Sequence, residues 1–357
     1  MLPLKTAPPS DKAIKPENAV LSNATDTESQ PFVWTRRHLL DSYSLTTEEV
    51  KEVLKTAQSF SSILQRPVKK VPTLHGKVVV NMFYENSTRT STSFELAAKY
   101  LSADLVNFSV NTSSVKKGET LLDTAETLLA MGVDAVVIRH PHSGVCQQLK
   151  SYFGDRLCVL NAGDGYHDHP TQGLLDLFSL TQRIPLAEIA GKKVVIVGDI
   201  LHSRVARSNI HLLNLFGANV HVVAPATLLP TEIEKLGCTA HTNIEEALQD
   251  ADVVMCLRMQ MERQTSGLIP ALSEYVRLYS ITQDRLSTYC KPNVLVMHPG
   301  PMNRGIEIAS DVADHKEYSL ITNQVTSGVA IRMALLYLLV STPVDIAKGR
   351  LHDKVSA

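Results

Sequence analysis

The sequence has no excess of charge of either sign and no apolar run long enough to cross a bilayer. Lys plus Arg number 35 and Asp plus Glu number 36, so the formal net charge is −1. No global field therefore draws the chain to nucleic acid or to a membrane surface, and any anion site must be local. Apolar residues make up 44% and charged residues 20%, which is typical of a soluble globular protein. We expect neither nucleic acid nor a membrane as a partner.

Cysteine is scarce, and the first 31 residues contain no aromatic residue. The five cysteines are scattered, without a C-x-x-C pair, and several lie within apolar runs. This pattern indicates a reducing compartment, so we expect a cytoplasmic protein. Residues 1–31 are rich in Pro, Ser, Thr and Asn, and they fit neither a secretory signal nor a transit peptide. We predict that they form a disordered tail and that the folded part begins near Phe32.

The length and the periodicity predict two α/β lobes. A single core seldom organises more than about 250 to 300 residues, and the chain has 357. Eight short apolar runs, most of them separated by helical patterns, predict mostly parallel sheets with helices on both faces and four strands in each lobe. These runs span residues 77–83, 103–108, 134–138, 157–160, 193–197, 218–224, 252–257 and 294–297.

The lobe boundary is predicted between residues 185 and 190. The first domain would then comprise residues 32–185 and the second residues 190–323. A strongly apolar helix, predicted within 326–345, follows all the strands. Such a terminal helix can cross back to brace the first domain, and we assign it there.

Polar residues follow the first predicted strand, at the position where parallel sheets bind ligands. Hydroxyl groups, a guanidinium and the free N–H groups of a helix start would together form a phosphate cradle. The residues that would form it are Ser87, Thr88, Arg89 and Thr90. The alternative is an ordinary N-cap cluster with a solvated arginine, since hydroxyl residues cap helices generally.

The third and fourth predicted strands bring further polar residues to the same edge. Arg139 closes the third strand, where a structural ion pair is the alternative to ligand binding. The fourth strand leads into a Gly-rich turn that contains His167 and His169. Two histidines without a third clustered ligand are weak grounds for a metal site. We therefore expect no metal and interpret His169 as a hydrogen-bond donor at a helix start.

The second lobe has none of the common nucleotide-binding motifs. Gly198 ends the fifth strand, but bulky Leu201 and His202 follow where a G-x-G-x-x-G motif would let the backbone approach a pyrophosphate. This pattern disfavours a nicotinamide cofactor. The sequence also lacks G-x-x-x-x-G-K-[ST], which excludes a P-loop NTPase. We expect no cofactor.

Two arginines instead follow strands of the second lobe. Arg204 comes after the fifth strand and Arg258 after the strand at 252–257. Each guanidinium can bind one carboxylate through two hydrogen bonds, so the pair suits a ligand with two carboxylates. The last strand ends in His298-Pro299-Gly300-Pro301, which predicts a rigid turn, compatible with a cis bond, that presents backbone carbonyls to the cleft.

These motifs together resemble the aspartate/ornithine carbamoyltransferase family, in order and over nearly all of residues 35–345. The resemblance rests on residues 83–94, Arg139-His140-Pro141, His169-Pro170-Thr171-Gln172 and the 298–301 turn. Within the family, Glu85, the loop 116–120 and the segment 258–263 resemble the members that act on aspartate. Members that act on ornithine usually have Lys in place of Glu85, Ser-Met-Gly in place of the Arg258 segment, and His-Cys-Leu-Pro at the turn.

The resemblance implies an enzyme that transfers the carbamoyl group of carbamoyl phosphate to the amine of L-aspartate, giving N-carbamoyl-L-aspartate and phosphate in pyrimidine biosynthesis. It implies catalytic roles for Arg89, Thr90, Lys117, Arg139 and His169. Carbamoyl phosphate would contact Ser87, Thr88, Arg89, Thr90, Arg139, His169, Gln172, Gly300 and Pro301, and aspartate would contact Lys117, Arg204, Arg258 and Gln260.

The family resemblance also implies a homotrimer with shared active sites. The loop that carries Ser113 and Lys117 would reach the neighbouring subunit's site, although the residues alone indicate a solvated surface loop. A larger assembly with regulatory chains or another pathway enzyme stays open. The sequence departs from the family pattern in two places, Ser91 where Arg or Lys is usual and Gly300 where Leu is usual. Neither departure removes a ligand-binding side chain, but Gly300 could loosen the turn.

Three alternatives remain to be weighed. A carbamoyltransferase for another amine, such as ornithine, fits less well because Arg204 and Arg258 favour a dicarboxylate. A dehydrogenase of similar architecture is disfavoured by the broken glycine pattern. A non-catalytic family member would be expected to have lost Arg89, Lys117 or His169, and all three are present.

Overall fold

Two parallel sheets organise the protein, as seen in a computed structural model that describes residues 32–109, 118–260, 268–269 and 271–341. The strands are β1 (Val78–Phe83), β2 (Asp104–Ser109), β3 (Ala135–His140), β4 (Cys158–Asp164), β5 (Lys193–Val197), β6 (Asn219–Val223), β7 (Thr239–His241), β8 (Val253–Cys256) and β9 (Leu295–Met297). One sheet has the order β2-β1-β3-β4 and the other β7-β6-β5-β8-β9. Every pairing between neighbours is parallel.

Helices connect most of the strands. In the part of the chain that the structure describes, they are α1 (Thr47–Leu64), α2 (Thr88–Tyr100), α3 (Leu121–Ala130), α4 (Val145–Phe153), α5 (Pro170–Thr181), α6 (Arg204–Leu215), α7 (Ile244–Leu248), α8 (Leu272–Tyr279), α9 (Gln283–Tyr289), α10 (Ser310–Ala313) and α11 (Ile321–Val340). The predicted α/β class is confirmed, because near-continuous apolar runs form the inner strands β1, β3, β5 and β8, which are buried along most of their length.

The expectation of four strands in each lobe is wrong for the second sheet, which has five. The additional strand, β7, lies at the sheet edge beside β6. It is only three residues long, one exposed and two half-buried. A short polar edge strand has no continuous apolar run, so periodicity could not predict it.

Strand β4 extends beyond the predicted 157–160 to Asp164 and includes buried polar residues. The backbone N–H of Asn161 donates to the carbonyl of Leu39 at 2.8 Å. Its side-chain amide donates to the carbonyl of Leu40 at 2.7 Å and to Asp164 Oδ1 at 2.8 Å. A buried strand tolerates this asparagine because its polar atoms have partners.

The terminal helix is longer at its start than predicted. Helix α11 begins at Ile321 rather than 326 and ends at Val340, and residues 342–345 of the prediction lie outside the described residues, as does the predicted tail 1–31. The helix packs against α1, α2 and α5. By length and composition α11 could cross a bilayer, but most of it is buried inside the protein, as in a core helix.

The strand orders create two topological switch points. In the first sheet, β1 and β3 are the two central strands, and the chain continues from each of them to an edge strand, β2 on one side and β4 on the other. A crevice therefore opens between β1 and β3, where Phe83 pairs with Arg139. In the second sheet the same reversal falls between β5 and β8, where Val197 pairs with Cys256. Ligands of open parallel sheets bind at such crevices, outside the carboxyl ends of the strands.

Candidate active site

The start of α2 follows β1 at the first crevice. Ser87 occupies the N-cap position, and within the described residues its side chain makes no capping hydrogen bond. The hydroxyl of Ser91 donates to the Ser87 carbonyl at 2.7 Å, so the unusual Ser91 helps to hold the cap. An ordinary N-cap cluster would use the Ser87 hydroxyl for capping. At the start of α2, by contrast, the Ser87 hydroxyl and the N–H groups of the first turn are suited to binding an anion.

Arg89 lies beside the 298–301 turn. A Cβ atom added to Gly300 would stand 3.1 Å from Arg89 Nε and Cζ, and Gly300 has a φ of +68°. Glycine is therefore needed here both for the backbone conformation and for the close approach of the guanidinium. The Gly300 N–H donates to His298 Nδ1 at 2.8 Å, and His298 Nε2 pairs with Glu307 Oε1 at 3.1 Å. These bonds hold the turn, whose Gly300–Pro301 bond is cis.

Two arginines from the two sheets meet on Glu85. Arg139 Nε lies 3.3 Å from Glu85 Oε2, and Arg204 Nη2 makes a short ion pair with the same oxygen. A Cβ on Gly163 would stand 2.9 Å from Arg204 Nε and 3.2 Å from Arg139 Nη1, and its φ is +114°. Only glycine lets both guanidinium groups approach β4 this closely. Arg139 thus makes the ion pair that was the alternative to ligand binding, but it does so inside the crevice and next to Arg204.

His169 lies at the start of α5 with an uncharged imidazole. Its backbone N–H donates to Asp168 Oδ1 at 2.7 Å and to Ser208 Oγ at 2.8 Å. Burial lowers the pKa of His169 well below its usual value, and the nearby charges of Arg139 and Arg204 lower it further. The imidazole is therefore uncharged at neutral pH, and one of its ring nitrogens can donate a hydrogen bond.

His167 has a different environment from His169. Its Nδ1 lies 3.0 Å from both carboxylate oxygens of Asp164, and this hydrogen bond raises the pKa of His167. Among the described residues, no group of three or more His, Cys, Asp or Glu side chains could hold a metal ion. The structure therefore does not combine the two histidines into a metal centre within that part of the chain.

The second crevice carries Arg258 and Gln260, just after β8. Gln260 Nε2 donates to the carbonyl of His202 at 3.1 Å, close to Arg204 in the sequence. Burial lowers the pKa of His298, and the charges of Arg89 and Arg258 contribute to this shift. The charges of Arg258 and Arg89 therefore both lower the pKa of His298, which is the first residue of the 298–301 turn. Ser113 and Lys117, the predicted contribution of a neighbouring chain, lie outside the described residues.

Sequence reasoning missed two acidic residues of the site. Glu85 served only to distinguish members of the family, although its position just after β1 could have predicted its contact with Arg139. Asp176 belongs to none of the sequence motifs that indicate chemistry. It is fully buried within α5 and accepts a hydrogen bond from Gln172 Nε2 at 2.9 Å. An acidic residue in an apolar helix is the signal that could have found it, because a buried charge needs partners.

Comparisons with known proteins match both halves of the chain. A family model described as aspartate/ornithine carbamoyltransferase, carbamoyl-P binding domain, matches residues 37–182. A second, described as aspartate/ornithine carbamoyltransferase, Asp/Orn binding domain, matches residues 190–339.

Relatives and solved structures agree with these models. The aspartate carbamoyltransferase catalytic subunit of Moorella thermoacetica is 57% identical over 305 residues, covering 85% of this chain and 97% of that protein. The corresponding subunit of Desulforudis audaxviator is 56% identical over 309 residues, covering 87% and 99%. A crystal structure of aspartate transcarbamoylase from Trypanosoma cruzi in complex with carbamoyl phosphate and aspartate has a TM-score of 0.74 at 28% identity, covering 86% of this chain and 98% of that one. The M. jannaschii catalytic subunit has a TM-score of 0.72 at 32% identity, covering 85% and 98%.

Proposed function

The chain belongs to the aspartate/ornithine carbamoyltransferase family, and from that premise we propose how its residues divide one reaction between them. The enzyme transfers the carbamoyl group of carbamoyl phosphate to the amine of L-aspartate, giving N-carbamoyl-L-aspartate and phosphate in pyrimidine biosynthesis. The observation that carries our assignment is the placement of arginines at both crevices, Arg89 and Arg139 at one, Arg204 and Arg258 at the other. Two anionic substrates need such an arrangement.

The first crevice binds carbamoyl phosphate in this proposal. The phosphate lies at the start of α2, against hydroxyl groups, N–H groups and the Arg89 guanidinium. Arg139 contacts both the phosphate and the carbonyl oxygen. The other contacts of the phosphate are Ser87, Thr88 and Thr90. Support comes from the uncapped Ser87 hydroxyl and from the proximity of Arg89 to Gly300.

Neutral His169 donates a hydrogen bond to the carbonyl oxygen, together with Thr90. The hydroxyl of Thr171 lies 3.5 Å from His169 Nδ1, and Arg332 Nη2 donates to that hydroxyl oxygen at 3.4 Å. In this proposal the Thr171 hydroxyl donates to Nδ1, and the ring proton is carried by Nε2, which is then the donor to the carbonyl oxygen. Preorganised donors of this kind stabilise the oxyanion as it develops.

Gln172 and the turn hold the carbamoyl amide. The Gln172 side-chain oxygen and the backbone carbonyls of Gly300 and Pro301 accept its two N–H groups. Gln172 is buried at the start of α5, and the bonds around His298 fix the turn.

The second crevice binds aspartate. Arg204, Arg258 and Gln260 contact its two carboxylates, and Lys117 with Ser113 completes the site from a neighbouring chain. Glu85 forms ion pairs with both Arg204 and Arg139, so it connects a residue of the aspartate site with a residue of the carbamoyl-phosphate site. This connection keeps the two substrate sites next to each other.

The reaction proceeds by direct attack of the aspartate amine on the carbamoyl carbon. The C–N bond forms, a tetrahedral oxyanion develops against His169, Thr90 and Arg139, and the C–O bond to phosphate breaks. The leaving phosphate takes the amine proton, so no separate acid–base pair is required. Catalysis rests on holding both substrates in contact and on stabilising the oxyanion.

The larger organisation is part of the same proposal. Residues 32–185 with α11 form the carbamoyl-phosphate domain, and residues 190–323 form the aspartate domain. The protein is a cytoplasmic homotrimer with shared active sites, and a larger assembly could add regulatory chains or another pathway enzyme. The two family models, which match residues 37–182 and 190–339, support the division into two domains, and the similarity to proteins named catalytic subunits supports a larger assembly. The packing of α11 against α1, α2 and α5 supports its place in the first domain, although the second model extends to residue 339 and so includes this helix.

Replacing Arg258 with alanine tests the assignment of the second crevice. We expect the KM for aspartate to rise about 10- to 100-fold, because a two-bond contact between charged groups is lost. The dissociation constant of carbamoyl phosphate should change less than about twofold, since the first crevice is intact. Steady-state kinetics and titration calorimetry measure the two quantities. Arg277→Ala, an exposed arginine on α8, is the matched control. Equal losses for both ligands would contradict the division between crevices.

A further inference from the structure

Asp176 lies at the centre of a buried hydrogen-bond network beneath the candidate site. Its Oδ1 accepts from Gln172 Nε2 at 2.9 Å and from Gln324 Nε2 at 2.7 Å, and its Oδ2 accepts from Asn209 Nδ2 at 2.8 Å. The three donors come from α5, α11 and α6. Burial raises the pKa of Asp176 to about 6, against the effect of these hydrogen bonds and of the Arg332 charge. The carboxylate is ionised at pH 8 and accepts all three bonds.

The carboxylate decides how two glutamine amides are turned. A side-chain amide has a donating NH₂ end and an accepting oxygen end, whereas an ionised carboxylate can only accept. Gln172 and Gln324 must both direct their NH₂ ends to Asp176, so their oxygens face away from it. The oxygen of Gln324 accepts the backbone N–H of His298 at 2.9 Å. The oxygen of Gln172 therefore points away from Asp176.

Both arms of the network lead to groups that would hold the carbamoyl amide. One arm ends at the Gln172 oxygen itself. The other runs through Gln324 to His298, which also accepts the Gly300 N–H at 2.8 Å and so fixes the turn that presents the Gly300 and Pro301 carbonyls. A carbamoyl NH₂ has two hydrogens to donate and needs acceptors on both sides. The network supplies acceptors only.

We propose that Asp176 is a positioning residue that keeps the pocket for the transferred NH₂ lined with acceptors, and so sets its selectivity for a carbamoyl phosphate over an acyl phosphate. This inference rests on the proposed function, because it needs Gln172 and the 298–301 turn to hold the carbamoyl amide. A purely structural role, in which Asp176 only joins three helices, would affect both kinds of phosphate equally.

Acetyl phosphate provides the test, because it differs from carbamoyl phosphate only by a methyl group in place of the NH₂. Titration calorimetry at pH 8 gives the dissociation constants of both compounds. In Asp176→Ala we expect affinity for carbamoyl phosphate to fall about tenfold and affinity for acetyl phosphate to fall less than about twofold. Asp176→Asn should restore most of the selectivity, because its amide oxygen can still accept from Gln172 and Gln324.

Asn209→Ala is the matched control. It removes a donor to the same carboxylate, but Asn209 contacts neither Gln172 nor Gln324 through the bonds described, so selectivity should stay within about twofold of wild type. If Asp176→Ala does not fold, Gln324→Leu provides the measurement. It cuts only the arm to the turn and should lower selectivity about threefold.

The outcomes distinguish a failure of the role inferred for Asp176 from a failure of the proposed function. Loss of selectivity in Asp176→Ala, or in Gln324→Leu, with recovery in Asp176→Asn, supports the inference. Gln172→Ala serves as a reference and should lose selectivity. If it does so while the Asp176 and Gln324 variants keep their selectivity, the inference is wrong and the proposed function stands. The same conclusion follows if the Asp176 and Gln324 variants lose affinity for carbamoyl phosphate and acetyl phosphate equally. If Gln172→Ala also keeps full selectivity, the proposed role of Gln172 fails and the inference fails with it.

Discussion

Replacing Arg89 with alanine is expected to lower kcat about 10²- to 10³-fold while the protein stays folded. The expected loss is that of one preorganised donor aimed at charge that develops during the reaction. Arg89 is the second residue of α2, and its guanidinium lies against Gly300. In our proposal, Arg89, the helix N-terminus and the Ser87 cap bind the same phosphate. Its side chain is exposed, so its removal should cost little folding free energy.

The control for Arg89→Ala is Arg156→Ala. Arg156 is also an exposed arginine, but it precedes β4, at the amino end of the strand and thus at the opposite edge of the sheet. Turnover at saturating substrate and thermal unfolding should be measured for both variants. We expect near wild-type turnover for Arg156→Ala and an unchanged melting profile for Arg89→Ala. More than half of wild-type activity in Arg89→Ala would show that the phosphate cradle is assigned wrongly.

The second large effect should come from mixing two inactive variants. In our proposal, Arg204→Ala removes a carboxylate contact from the subunit that forms most of a site, and Lys117→Ala removes the contact that the neighbouring subunit supplies. When both variants are mixed, unfolded and reassembled, some interfaces combine an intact Arg204 with an intact Lys117. In a trimer with random mixing, roughly a quarter of the sites should be complete. The activity of the mixture should therefore rise from nearly zero to roughly a quarter of wild-type activity.

Native mass spectrometry must show that the reassembled trimers contain both chains. Each variant unfolded and reassembled alone is the control, and it should stay inactive. If mixed trimers form and no activity returns, the sites are not shared. Lys117 would then be the solvated surface lysine that its Ser-rich, basic loop suggests.

The parts of the fold that could be predicted are those that depend on local sequence. The strand before Ser87 and the helix after it follow from an apolar run and a cluster of helix-starting residues, and the structure has β1 and α2 at those places. The short edge strand β7 could not be predicted, because three partly polar residues acquire strand structure only by pairing with β6.

The candidate site shows the same limit. The positions of Arg139 and Arg204 at the ends of strands predict both as site residues. Their convergence on Glu85 cannot be predicted in this way, because Arg204 and Glu85 are 119 positions apart in the sequence. Gly163 reads as a turn glycine in the sequence, whereas the structure needs it because two guanidinium groups lie against it. Asp176 reads as one polar residue among leucines. Its importance depends on donors from three helices, which only the tertiary packing brings together.

One assay tests the central claim most directly. The purified protein is incubated with carbamoyl phosphate and either L-aspartate or L-ornithine, and the products are identified by mass spectrometry while phosphate release is followed. We predict N-carbamoyl-L-aspartate and an equal amount of phosphate with aspartate, and at least about 100-fold less product with ornithine, whose second amine replaces the carboxylate that Arg204 or Arg258 would bind. Citrulline formation at a rate comparable to that with aspartate, or no carbamoylated product from aspartate, would contradict the account.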